Sequence, residues 1–138
     1  MNIQHCVNDL LMRGTDDLIQ ASEVASVAIA VGGATNQDEI REMSLAMIRE
    51  VVRQKFMEIG DAIGIGSHPT HVFERVDFSP WAIPFEAAME RVAREWRALG
   101  RNPNLGEICW LCNTDKGNEI GNRLLDQGGR PLASQPPM

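Results

Sequence analysis

Four side chains in this sequence have the types and spacing of a metal or thiol site. They are His68 and His71, either side of Pro69-Thr70, and Cys109 and Cys112, either side of Trp110-Leu111. Two imidazoles and two thiolates form the ligand set of a structural zinc site. The backbone that carries them decides whether they meet. Two cysteines three residues apart reach one ion, or each other, only where the chain turns between them; on an extended strand successive side chains alternate faces. Ile108, Cys109, Trp110 and Leu111 are apolar on both sides, as in a covered strand, and no glycine knuckle adjoins either cysteine. The histidines flank a proline in a loop. The expectation is therefore free, inert thiols facing opposite ways and no cofactor. The alternative is a zinc- or thiol-dependent protein using Cys109 and Cys112 with His68 and His71.

Other catalytic patterns are incomplete. A thioredoxin-type pair needs its first cysteine at a helix N-terminus, and here a strand is expected. A nucleobase deaminase needs His-x-Glu and Pro-Cys-x-x-Cys; the chain has His71-x-x-Glu74, and Pro103 lies six residues before Cys109. Gly60-x-x-x-Gly64-x-Gly66 lacks the Lys-Ser/Thr of a phosphate loop and reads as a helix stop followed by a loop. The sequence leans away from an enzyme.

With 138 residues the chain has the length of one domain. A domain of that size buries roughly 68% of the surface its unfolded chain exposes, so it needs no metal or disulfide to fold. The net charge is −6, with two lysines, Lys55 and Lys116. The arginines at 91, 94, 97 and 101 are interleaved with Glu90 and Glu95. That argues against nucleic acid, whose binding rests on clustered cations, and is compatible with a protein partner, for example a basic one. The least polar stretch, Val24 to Ala34, is too short for a membrane span of about 20 residues. Asp9, Asp16 and Asp17 interrupt the first twenty residues, so no secretory signal is expected. With an odd count of three cysteines, the compartment expected is the cytoplasm.

Periodicity then places the elements. A short amphipathic helix is expected over 3–12. A second is expected to start at Thr15, with Leu18, Ser22, Ala25 and Ile29 on one face. A long helix is expected over about 37–60, stopped by Gly60 and Gly64, with Ile40, Met43, Met47, Val51 and Ile59 near one face. An irregular stretch follows, with a possible strand over 71–78. The clearest helix is 85–99, where Phe85, Met89, Val92, Trp96 and Leu99 recur with helical spacing between Pro84 and Gly100. A strand over 105–113 and a hairpin turn over 114–118, with Gly117 at positive φ, come next. Residues 119–126 fit a helix or a return strand.

The sequence thus predicts an α+β domain over 1–127, mainly helical (four or five helices), with a small antiparallel sheet in the C-terminal half. Residues 128–138 read as a flexible tail. The helix at 85–99 is expected to pack on the sheet through Trp96, near Trp110. The function expected is that of a small acidic, non-catalytic, protein-binding or inhibitory domain. Its binding surface is placed on the segment holding His68, His71, Phe73, Glu74 and the proline-framed Trp81.

Overall fold

The computed structural model describes residues 3–67 and 73–131, with the side chains of 63–67 and 73–76 outside that description. The helices are α1 (Gln4–Arg13), α2 (Ala21–Ala30), α3 (Gln37–Arg53), α4 (Phe85–Leu99) and α5 (Asp115–Asp126). The strands are β1 (Ile19–Gln20), β2 (Met57–Ser67), β3 (Phe73–Pro80) and β4 (Trp110–Asn113). They form one antiparallel sheet in the order β1-β4-β2-β3. This is the expected α+β architecture, with its sheet mostly in the C-terminal half. Among the described residues no helix is long and apolar enough to cross a membrane.

Register explains the core. Ile19 stands opposite Leu111, and Leu111 opposite Ile59, so one row of large apolar side chains crosses three strands. All three are buried, together with Met57 and Cys109. The next row, Gln20, Trp110 and Gly60, lies on the other face by the two-residue strand period. The helical layer adds Leu10 and Leu11 from α1, Val24 and Val27 from α2, and Met47, Ile48 and Val51 from α3. A charged chain runs beneath it: Arg13 Nε lies 2.9 Å from Asp9 and Nη1 lies 3.1 Å from Glu23. Glu23 in turn accepts from the Gln20 N–H at 3.2 Å and so caps α2.

Several expected elements have different bounds. The second helix starts at Ala21, not Thr15, because Ile19 and Gln20 are drawn into the sheet by β4. Its exposed Ile29 is not a core residue. The long helix stops at Arg53. Lys55 adopts φ 62°, Phe56 N–H donates to Val51 O and Lys55 N–H to Val52 O. This is a Schellman stop with lysine where glycine is usual. Gly60 and Gly64 therefore lie inside β2, and Ile59 is a strand residue. At Gly60 a side chain would overlap the Ser79–Pro80 backbone of the neighbouring strand β3, where Gly60 pairs with Pro80.

The helix over 85–99 has its expected bounds, with Pro84 as the cap residue and Gly100 left-handed at φ 66°. It packs chiefly on α3, with buried Trp96 beside Gln37, Asp38 and Arg41. Trp110 lies in the row of Gln20 and Gly60, on the face of the sheet opposite Leu111, and not on the helix side near Trp96 as expected. The expected strand over 105–113 is confined to 110–113, because Gly106 and Ile108 take positive φ (79° and 72°).

The expected hairpin turn at 114–118 is instead the start of a helix. Thr114 Oγ1 accepts from Gly117 N–H at 3.2 Å and itself donates to Lys55 O at 2.7 Å. Gly117 and Gly121 face the chain directly: a Cβ at 117 would overlap Phe56 O, and one at 121 would overlap Leu11 O. Asn113 Nδ2 donates to Leu11 O at 3.0 Å and to Asn118 Oδ1 at 3.2 Å, closing the corner. Gly121→Val should therefore lower unfolding stability by about 3 kcal/mol, the upper range for overpacking. The exposed control Asn122→Ala should stay within about 0.5 kcal/mol. Urea unfolding of both variants measures the difference.

Candidate functional site

The two thiols singled out by the sequence lie on different sides of the chain. Cys109 immediately precedes β4 and is buried with Leu111, and Cys112 is half-buried beside its strand partner Glu58. Burial pushes the Cys109 thiol up to about 12, with Glu95 reinforcing the shift. The Cys112 thiol is raised by burial and by Glu58, and that of Cys6 by burial and by Asp9. Each shift disfavours the thiolate, the nucleophilic and metal-binding form. His68 and His71 lie outside the described residues. Phe73 and Glu74 open β3, with side chains outside the description. Among the described residues no three His, Cys, Asp or Glu side chains are grouped to hold a metal.

Trp81 is the expected site residue that the structure places in a defined setting. Its N–H donates to Ile59 O at 3.0 Å, continuing the β2–β3 register by one residue. Its ring packs on the core, and the Arg91 guanidinium stacks on it, 3.8 Å from the ring centroid. The indole Nε1–H is buried and has no acceptor among the described residues. A groove of about 420 Å³ opens beside it. Pro80, Trp81, Ile83 and Phe85 form one side, Val52 and Met57 add apolar surface, and Lys55 and Glu58 bring charge to it. Ile83 is 42% exposed. Arg49, held by Glu86 through bonds of 3.1 and 3.2 Å, sits 5.4 Å from the Phe85 ring centroid and stiffens that side.

The sequence pointed to Trp81 but missed the groove. Phe85 reads as part of the α4 core stripe, and Val52 as part of α3. Lys55 and Glu58 fall inside the helix expected over about 37–60, because the helix stop between Arg53 and Met57 carries no glycine. The signal that was available was the pair of prolines, 80 and 84, which fix the chain on each side of Trp81 and Ile83.

A second exposed apolar feature is Leu105, 79% exposed at the tip of the segment between α4 and β4. The segment is braced beneath it. Arg101 bonds both Glu107 oxygens, at 2.7 and 3.0 Å, and Glu107 also accepts from Asn104 N–H at 2.7 Å. Gly106 N–H donates to Gln20 Oε1 at 2.6 Å, tying the tip to β1.

These environments give two expectations. At pH 7.5 iodoacetamide should label Cys112 slowly and leave Cys6 and Cys109 untouched, whereas all three react in denaturant; intact-mass spectrometry reads the count. Rapid native labelling of Cys109 would contradict its placement. Arg101, and then the Asn104 N–H, hold Glu107 down at about 2. Its folded value lies below its unfolded one, so its contribution to stability is present above the unfolded value and is lost as pH falls through about 2. NMR titration should place Glu107 near that value, and Arg101→Ala should raise it toward, but not fully to, the ordinary value of about 4.3, because the Asn104 N–H remains.

Comparisons with known protein families, with curated proteins and with solved structures found no match to this chain.

Proposed function

We infer that this chain is a non-catalytic protein-binding domain, and that the groove beside Trp81 receives an apolar side chain from a partner of basic character. The observation that carries the reading is the groove's composition. Pro80, Trp81, Ile83 and Phe85 present a continuous apolar surface, of which Ile83 is 42% exposed. Protein interfaces place a few such apolar anchors at their centre, inside a polar rim. The groove's volume of about 420 Å³ suits a bulky side chain and the backbone beside it rather than a folded surface.

The basic character of the partner rests on charge. The chain carries −6 overall, while at the groove itself Glu58 and Lys55 offset one another, so the basic character rests on the net charge alone. Such a field speeds encounter with a cationic partner and weakens as salt rises. The apolar anchor supplies the part of the affinity that salt leaves in place.

Ile83→Asp tests the reading, because Ile83 is exposed enough that its loss should change stability by no more than about 0.5 kcal/mol. Affinity capture at low salt should retain a stoichiometric basic protein on the parent chain. The variant should bind that protein roughly 30-fold more weakly, the loss of one central anchor. Equal retention by Ile83→Asp, or no stoichiometric protein on the parent chain, overturns it.

A further inference from the structure

A second groove, of about 440 Å³, opens where α1, the end of α2 and the chain just past α5 meet. Met12, Ala30, Val31 and Leu124 give it an apolar lining, and Gly129 and Arg130 form a further wall. Asp9 also borders it, but its carboxylate is bonded to Arg13 Nε at 2.9 Å. Met12, Val31 and Leu124 are only half-buried and Ala30 is exposed, so the described residues leave this lining partly open.

The end of α5 aims the chain at this groove. Gly128 takes φ 93°, its N–H donates to Leu125 O at 3.0 Å, and Gly129 N–H donates to Leu124 O at 2.9 Å. Those two bonds are a Schellman stop, here with the usual glycine in the left-handed position. The turn takes the chain off the helix axis and toward α1, where a Cβ on Gly129 would stand 2.9 Å from Met12 Sδ. Arg130 braces it, with Nη1 donating to Gly129 O at 2.6 Å. The described residues end at Pro131, one residue past the groove wall, and residues 132–138 follow.

We propose that residues 132–138 of the same chain dock in this groove, with Leu132 as the anchor against Met12, Val31 and Leu124. Chain continuity selects this occupant. Leu132 lies two residues beyond Arg130, hence within about 7 Å of a groove wall. A segment tethered at the rim meets its seat at an effective concentration in the mM range, an advantage no free partner has. The composition of the segment agrees. Leu132 is its first residue and the first leucine after Leu125, and no side chain from 132 to 138 is charged, so an apolar seat costs it no desolvated ion. Pro136 and Pro137 restrict the backbone and so reduce the entropy lost on docking. Docked in this way, the segment ties α5 to α1 and α2. The proposal stands apart from the groove beside Trp81 and does not rest on it.

Backbone relaxation and methyl NMR on the full chain test this. Order parameters for Leu132, Ala133 and Ser134 should be about 0.8, and the Leu132 methyls should show NOEs to Met12, Val31 and Leu124. In Leu132→Ser the order parameters of that segment should fall below about 0.6. Ala30→Glu places a charge in the seat from an exposed position, where a substitution leaves the fold intact, and should release the segment in the same way. The proposal fails if the parent segment is already below about 0.6, or if Leu132 touches none of the three residues. It fails equally if either variant leaves the segment ordered. NOEs that arise only between differently labelled copies would overturn it in favour of a second chain as the source of the segment. None of these readouts involves Ile83, so they are separate from the test of partner binding.

Discussion

The structure depends on how closely the last helix approaches the main chain of the first half. At residues 117 and 121 α5 rests on the carbonyls of Phe56 and Leu11, and only glycine leaves room. Asn113 and Thr114 convert that contact into hydrogen bonds, reaching Leu11, Lys55 and Phe56 from two adjacent residues. Because Asn113 ends β4 and Thr114 caps α5, the same corner fixes where β4 enters the sheet. That entry completes the row Ile19, Leu111, Ile59 and sets the floor on which the helices pack.

The groove inherits its shape from this arrangement. Thr114 lines it at one end, and Trp81 is bonded to Ile59 at the other. Between them, the left-handed Lys55 turns the chain abruptly from α3 into β2. A non-glycine residue in that region costs roughly 1–2 kcal/mol. The cost is borne where the turn makes two Schellman hydrogen bonds and where Thr114 binds the Lys55 carbonyl.

How much could be read from the sequence follows from which signals were local. The helix at 85–99 was legible to the residue, because an apolar stripe, a proline and a glycine all act within the segment. So was the general α+β character. The stop of α3 was not legible, since its left-handed position holds lysine and the pattern of Ile59 continues in helical phase. The start of α5 was read as a turn because Gly117 is usually a turn residue; here it is small for the sake of Phe56 O, a contact from sixty residues away. β1 escaped notice because two residues become a strand only when β4 arrives beside them. Of the site residues, Trp81 was visible through its prolines. The groove around it draws on α3, β2 and the approach to α4, and no local pattern unites those.

The order of strands has a consequence for synthesis on the ribosome. β4 lies between β1 and β2, yet it follows both in the chain by more than forty residues. Until residue 113 emerges, the nascent chain holds two strands awaiting a mate that has not yet been made. Helices α1 to α3 can collapse early through nearby contacts, but the sheet beneath them is completed only by a late insertion between existing partners. Pairings so distant in sequence form slowly and leave strand edges open in the meantime. The interval before that insertion is when this chain most needs a chaperone.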